Sequence, residues 1–184
     1  MMNIDFYSGS PEKQRKQIRY QMRNEIETII KEKHIDRNLF HEVSKFSYAQ
    51  IFRKFYYTFC THDKSDNCTV NPELMQSYMW LRFRNNLTNA ELYRVGNWKD
   101  AMHHLYDMIP EHDDSMFYYL ITDGGWLYEG TLPAVIEILL EYPPDMEDFY
   151  LFPKHYEYVV AYCDDGECMT KLFAKSIKGD TVLC

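Results

Sequence analysis

Five short apolar runs, separated by turn-forming residues, constrain the fold of this chain more than any other feature of its sequence. The runs cover 116–121, 126–128, 149–152, 156–163 and 167–173. Asp164-Asp165-Gly166 separates the last two and is typical of a hairpin turn, because Asp tolerates the local conformation and Gly supplies a positive φ. Each run has the length of one strand. With a further strand at 90–95, the pattern predicts a largely antiparallel sheet of about five to six strands.

Helical patterns precede and interrupt these runs. Ser10-Pro11 is typical of a helix start, and the apolar residues behind it recur at three- and four-residue steps, which predicts a helix over about 11–33. Other predicted helices begin near Asp36, Pro72, Asn97 and Thr131. The aromatic-rich segment 48–59 suits a helix or a strand equally well.

The length of 184 residues, with 46% apolar and 26% charged side chains, indicates one ordinary domain with its own core. We expect a single α+β domain over 1–175, in which helices pack on one face of the sheet. It comprises a helical N-terminal region (1–60), a polar loop (61–71) and a mixed region (72–175), followed by a tail at 176–184.

Charge is distributed unevenly along the chain. The net charge is −8, but residues 1–60 carry eleven basic and seven acidic side chains, whereas 111–184 carry four basic and fifteen acidic ones. Nucleic-acid-binding faces need Lys and Arg to contact phosphates, so this acidic half argues against nucleic acid as a partner. An acidic surface instead favours a partner protein with a basic surface, because complementary charge accelerates association.

The N-terminal residues and the cysteines bear on the compartment. The N-terminus lacks the basic and apolar regions of a secretory signal, and no apolar stretch is long enough to span a membrane, so we expect a cytoplasmic protein without a membrane partner. Its five cysteines are then expected to be free thiols. No cofactor is predicted, and the sequence does not indicate the oligomeric state.

Signatures of common enzymes, such as phosphate-binding loops, nucleophile elbows and paired zinc-binding histidines, do not occur. The densest group of titratable residues could still serve a small metal-dependent hydrolase. It consists of His103, His104, Asp107 and His112, but adjacent histidines point about 100° apart on a helix, so a solvated helix face is the alternative. Further zinc-type ligands, which inert thiols would equally explain, are Cys60, His62, Cys68, Cys163 and Cys168.

Tyrosines interleaved with acidic residues form the remaining unusual feature, since the chain holds 16 Tyr and 11 Phe. Such a mixture suits a protein-binding surface, in which Tyr supplies contact area and carboxylates attract a basic partner. For most of the aromatic residues, filling the sheet and its helix layer is the alternative. The candidate binding residues are Glu147, Asp148, Tyr150, Tyr156, Tyr158, Asp164 and Asp165.

An ordered set of aromatic motifs runs through residues 78–170. It includes Trp80-Leu81, Trp98, Phe117 to Ile121, Trp126 to Gly130, Asp148 to Leu151 and Tyr156 to Val160. In this order the motifs resemble a family of small bacterial proteins of unknown function that is associated with immunity proteins of polymorphic toxin systems. The resemblance implies a non-enzymatic protein that neutralises a basic toxin domain. A further alternative is a module that pairs with itself through the N-terminal amphipathic helix.

Overall fold

The computed structural model of the chain describes residues 11–61, 83–85, 87–142, 148–164 and 167–174. The helices are α1 (Pro11–Glu32), α2 (Lys45–Phe59), α3 (Trp98–Met108) and α4 (Leu132–Glu141), with a short 3₁₀ turn at Asp123–Gly125. The strands are β1 (Phe40–Glu42), β2 (Thr88–Arg94), β3 (Phe117–Thr122), β4 (Trp126–Thr131), β5 (Asp148–Pro153), β6 (Tyr158–Cys163) and β7 (Cys168–Phe173).

The strands form one antiparallel sheet in the order β1-β4-β3-β5-β6-β7-β2. The predicted α+β class and the antiparallel sheet are therefore confirmed, although the sheet has seven strands rather than five to six. The additional edge strand is β1, where Phe40 pairs with Gly130 and His41 with Glu129 of β4. The helix predicted to begin at Asp36 is thus wrong, because this segment pairs with the sheet before α2 begins.

Helices cover both faces of the sheet. Strand residues alternate between two buried clusters, so that Tyr118 and Leu120 of β3 face α1, α3 and α4, whereas Ile121 faces α2. Within the second cluster the Phe55 ring of α2 lies 4.7 Å from the Phe152 ring of β5. After the helical N-terminal third, α3 and α4 pack on one face as predicted, whereas α2, in a segment that the sequence left undecided between helix and strand, covers the other face.

Local sequence explains where the helices form. The Asn97 side chain accepts a 3.0 Å hydrogen bond from the Lys99 amide and caps α3, as its sequence predicts. The indole of Trp98 donates a 2.6 Å hydrogen bond to the Leu139 carbonyl, which fixes α3 against α4. In α2 the buried Phe52, Phe55 and Phe59 recur at three- and four-residue steps, so the aromatic residues there follow a helical period.

Several predicted elements lie outside the described residues, namely the helix opening at Pro72, most of the loop at 61–71 and the tail at 176–184. In the part of the chain that is described, no helix has both the length and the apolar character needed to cross a membrane.

Candidate functional site

Four of the candidate binding residues lie inside the domain. The side chains of Asp148, Tyr150, Tyr156 and Tyr158 are only 6%, 4%, 6% and 2% exposed. They fill the sheet and its helix layers, so the structure corrects their predicted place on a binding surface. Asp164 alone among the described candidates is exposed. The other two, Glu147 and Asp165, lie outside the described residues.

Exposed carboxylates concentrate instead on α3 and on the loop that follows it. We call this the acidic surface, and its members are Asp100, Asp107, Glu111, Asp113 and Asp114. Lys99 is the only lysine or arginine between Trp98 and Met116, so these acidic groups are not balanced along the same segment. Four of the five lie at or beyond the last turn of the helix. The C-terminal end of the helix carries partial negative charge, which disfavours the carboxylate of Asp107 in its last turn.

The loop after α3 is held in one conformation by its own side chains. The Asp113 carboxylate accepts hydrogen bonds from the Ser115 and Met116 amides at 2.7 and 3.0 Å. Hydrogen bonds from the Ser115 side chain and backbone, together with the Met116 amide, lower the pKa of the Asp113 carboxyl. This carboxylate consequently remains ionised at neutral pH and keeps its negative charge on the acidic surface.

The histidines of the same segment do not converge on a metal site. His104 lies between two carboxylates, with Nε2 2.9 Å from Glu91 and Nδ1 3.2 Å from Asp107, and its ring stacks on Tyr93. His112 donates from Nδ1 to the Ile109 carbonyl at 2.6 Å, and His103 is exposed. Within the described residues these side chains form no three-membered group of metal-ligating atoms. His104 therefore joins β2 to α3 through its contacts with Glu91 and Asp107.

A mixed group of thiol and carboxylates forms elsewhere, at one end of the sheet. Ligand atoms of Asp148, Cys163 and Asp164 all lie within 4.8 Å of one another. Asp148 and Cys163 are paired across β5 and β6, and both are buried. The Tyr150 hydroxyl donates a 2.9 Å hydrogen bond to Asp148 Oδ2. The sequence analysis placed Asp148 and Asp164 among the binding candidates and Cys163 among the zinc-type ligands, and the strand register brings the three together.

Cys60, another of the candidate zinc-type ligands, lies in the core. Cys60 is completely buried and pairs by a backbone bridge with Phe83. Its predicted partners, His62 and Cys68, lie outside the described residues.

One open pocket of about 380 Å³ lies beside the β1 edge, where the sequence indicated nothing. In it Glu129 is 3.2 Å from His41 Nε2 and 2.9 Å from Lys154 Nζ, and Phe117 forms an apolar wall. Arg37 also lines the pocket but is engaged by Glu27 at 2.7 Å. Its cations are thus already paired with carboxylates. No motif could have revealed it, since it depends on the pairing of β1 with β4.

Comparison with known proteins identifies a family whose function is unknown. No curated protein and no solved structure matches the chain. One family profile covers residues 18–178, which is most of its length. The chain therefore belongs to a family of unknown function, DUF6756.

Proposed function

We propose that this protein is a non-enzymatic binding module that recognises a basic surface on another protein through the acidic surface of α3 and its following loop. The partner class that we propose is a basic toxin domain, which the module neutralises as an immunity-type protein. The observation that carries the proposal is the concentration of five exposed carboxylates on α3 and the loop that follows it. The buried candidates around β5 and β6 have no part in it.

The position of the acidic surface supports a role in binding. Carboxylates close together repel one another, and the helix dipole disfavours Asp107 in the last turn of α3. Local hydrogen bonds and Lys171, by contrast, favour the charges of Asp113 and Glu111. The remaining repulsion suits recognition, because a basic partner relieves it when it binds. Aromatic area lies beside the charge, since the Tyr106 ring is 5.1 Å from the His112 ring.

Electrostatic recognition of this kind acts chiefly on the rate of association. Opposite fields on the two proteins increase the association rate constant, and salt reduces that gain because the Debye length is about 10 Å at 0.1 M ionic strength. The proposal therefore predicts that association slows strongly as salt increases, while dissociation changes less.

Variants that replace exposed carboxylates by uncharged amides test the proposal. The test variant combines Asp100→Asn, Asp107→Asn and Asp114→Asn, which leaves the turn-forming Asp113 and the Lys171-bound Glu111 intact. Its matched control neutralises three exposed carboxylates outside the acidic surface, Glu32→Gln, Glu157→Gln and Glu167→Gln. Proteins captured by the wild-type chain from the native cell are identified, purified and measured by surface plasmon resonance over a range of salt concentrations.

We expect the test variant to associate at least tenfold more slowly with the captured partner, and the control to associate as the wild type does. Equal loss in both variants, or an association rate that ignores salt, would overturn the proposed mechanism. A partner whose contact surface is acidic would overturn the partner class as well.

A further inference from the structure

We propose that Asp148, Cys163 and Asp164 bind a divalent cation of the zinc class, with Cys168 as the fourth ligand. This inference does not rest on the proposed partner surface, since its residues lie on a different segment and, for the most part, inside the domain. It draws together a buried carboxylate, a buried thiol and an exposed carboxylate that three elements of the fold place at one end of the sheet.

The strand register creates the group. Asp148 opens β5 and Cys163 closes β6, and the two are paired directly across the sheet, so their side chains extend from the same face. Asp164 follows Cys163 where the chain leaves the sheet. The three ligand atoms lie within 4.8 Å of one another. Around tetrahedral zinc, with bonds of about 2.0 to 2.3 Å, ligand atoms are roughly 3.3 to 3.8 Å apart. A bound zinc ion would draw the three ligand atoms together from the 4.8 Å within which they lie.

A fourth donor lies on the next strand. Cys168 opens β7 and is paired directly with Cys163, so the two cysteine side chains also share one face of the sheet. Directly opposed residues on antiparallel strands have Cβ atoms about 4.5 to 5.5 Å apart. Neither cysteine is in a disulfide, and Cys168 is half-buried. The Cys168 thiol is outside the group of ligand atoms within 4.8 Å of one another, and it would complete the site by turning toward Cys163, its partner across the hairpin.

The chemistry of the donor set identifies the class of ion. Thiolates favour zinc, cobalt and cadmium, whereas magnesium and calcium require oxygen ligands throughout. The two carboxylates held close together repel one another, and a doubly charged cation removes that repulsion. The Tyr150 hydroxyl, 2.9 Å from Asp148 Oδ2, fixes the orientation of the carboxylate as outer ligands do in metal sites. Cys163 and Cys168 each release a proton to solvent when their sulfur atoms bind the metal.

Titration of the full chain with zinc alone, under reducing conditions, tests the site. Native mass spectrometry gives the stoichiometry and calorimetry the affinity. Cobalt serves as a second probe, because a bound thiolate produces a charge-transfer band in the near ultraviolet. We expect one tightly bound equivalent of zinc and a cobalt–thiolate band. Cys163→Ser should weaken zinc binding about 100-fold and reduce the band to the part that Cys168 contributes, and Tyr150→Phe should weaken binding about tenfold, as loss of outer-ligand bonds does.

Two further variants keep the test decisive if Cys163→Ser fails to fold. Asp164→Asn changes an exposed side chain and should retain the fold, as circular dichroism will show, while it weakens zinc binding at least tenfold. Glu167→Gln is the matched control in the same hairpin, since it removes one exposed charge without removing a ligand. Absence of saturable zinc binding by the wild type overturns the proposal. So does unchanged affinity in Asp164→Asn, or a loss of the same size in Glu167→Gln.

Discussion

The Lys171 ammonium lies 2.6 Å from the main-chain carbonyl oxygen of Met108, so a buried cation on β7 caps the C-terminal end of α3. The same ammonium is 3.1 Å from Glu111 Oε1 and 4.1 Å from the centre of the Tyr158 ring. Partial burial raises the pKa of the Glu111 carboxyl, but the Tyr158 hydroxyl and Lys171 outweigh that effect and lower it overall. The positive charge of Lys171 thereby offsets the partial negative charge at the C-terminal end of α3 and the carboxylate charge of Glu111.

Replacing Lys171 by methionine should destabilise the domain by about 2 kcal/mol, because the Met108 carbonyl and Glu111 lose a charged donor. Urea unfolding followed by circular dichroism measures the change. Lys154→Met is the matched control, since this lysine is 46% exposed and its ion pair with Glu129 should contribute less than about 1 kcal/mol. Equal losses in the two variants would show that Lys171 has no special role in capping α3.

Gly130→Ala should separate β1 from the sheet. A Cβ atom at Gly130 would lie 2.6 Å from Phe40 Cδ2 and 2.8 Å from the Leu39 carbonyl oxygen, and the second contact is with backbone that cannot turn aside. We expect a loss of about 2 to 3 kcal/mol in unfolding free energy, the upper part of the range for overpacked sites. Gly96→Ala is the control, because nothing lies within 4 Å of the added atom there. A Gly130→Ala protein as stable as this control would contradict the close approach of β1.

Gly130 is the partner of Phe40 in β1, and β1 is the part of the sheet that could not be predicted from sequence. The hairpin between β6 and β7 and the capped helix α3 follow from local signals, namely Asp164-Asp165-Gly166 and Asn97. Strand β1 has only three residues, and its apolar neighbours have helical spacing, so only pairing with distant β4 identifies it. Prediction of the whole sheet therefore required contacts between residues far apart in the chain.

The burial of the predicted binding residues on and around β5 and β6 could not be predicted, for a related reason. Tyrosines interleaved with acidic residues suit a protein-binding surface, so the sequence indicated a surface around β5 and β6, with filling of the sheet as the alternative. In the structure both faces of these strands are covered, and the pattern reports burial instead. The acidic surface follows from charge along α3, whereas the grouping of Asp148 with Cys163 depends on register and could not be read from spacing.

Tyr128→Phe should stabilise the domain by about 1 kcal/mol, because the hydroxyl is buried and finds no hydrogen-bond partner among the described residues. The ring itself stacks on Phe40 with centroids 5.2 Å apart, and phenylalanine preserves that contact. Tyr48→Phe provides the opposite case, since the Tyr48 hydroxyl donates to Glu42 at 3.0 Å and should cost stability when removed. Thermal unfolding of both variants checks the pair, and a destabilised Tyr128→Phe would refute the expectation.

Alkaline pH should unfold the domain through its buried tyrosines. Burial, with the charges of Asp164 and Glu167 adding to it, raises the pKa of Tyr162 to about 12, and burial also raises the pKa of Tyr158 above its usual range. The folded state thus binds these protons more tightly than the unfolded state. Its advantage is complete below the unfolded pKa of about 10 and is lost as the pH rises through the folded values.

The measurement combines tyrosinate absorbance with urea unfolding at several pH values between about 9 and 12, the window in which free and buried tyrosines ionise. Unfolding free energy should fall steeply over this range, and Tyr162→Phe should make the fall less steep because one raised pKa is removed. Tyr20→Phe is the control, since Tyr20 is 51% exposed on α1. If the unfolding free energy of Tyr162→Phe falls with pH as steeply as that of the wild type and of Tyr20→Phe, the Tyr162 hydroxyl is not the group whose ionisation opposes folding. The Tyr162 ring stacks on Phe149 with centroids 5.5 Å apart, and that packing would then not extend to its hydroxyl.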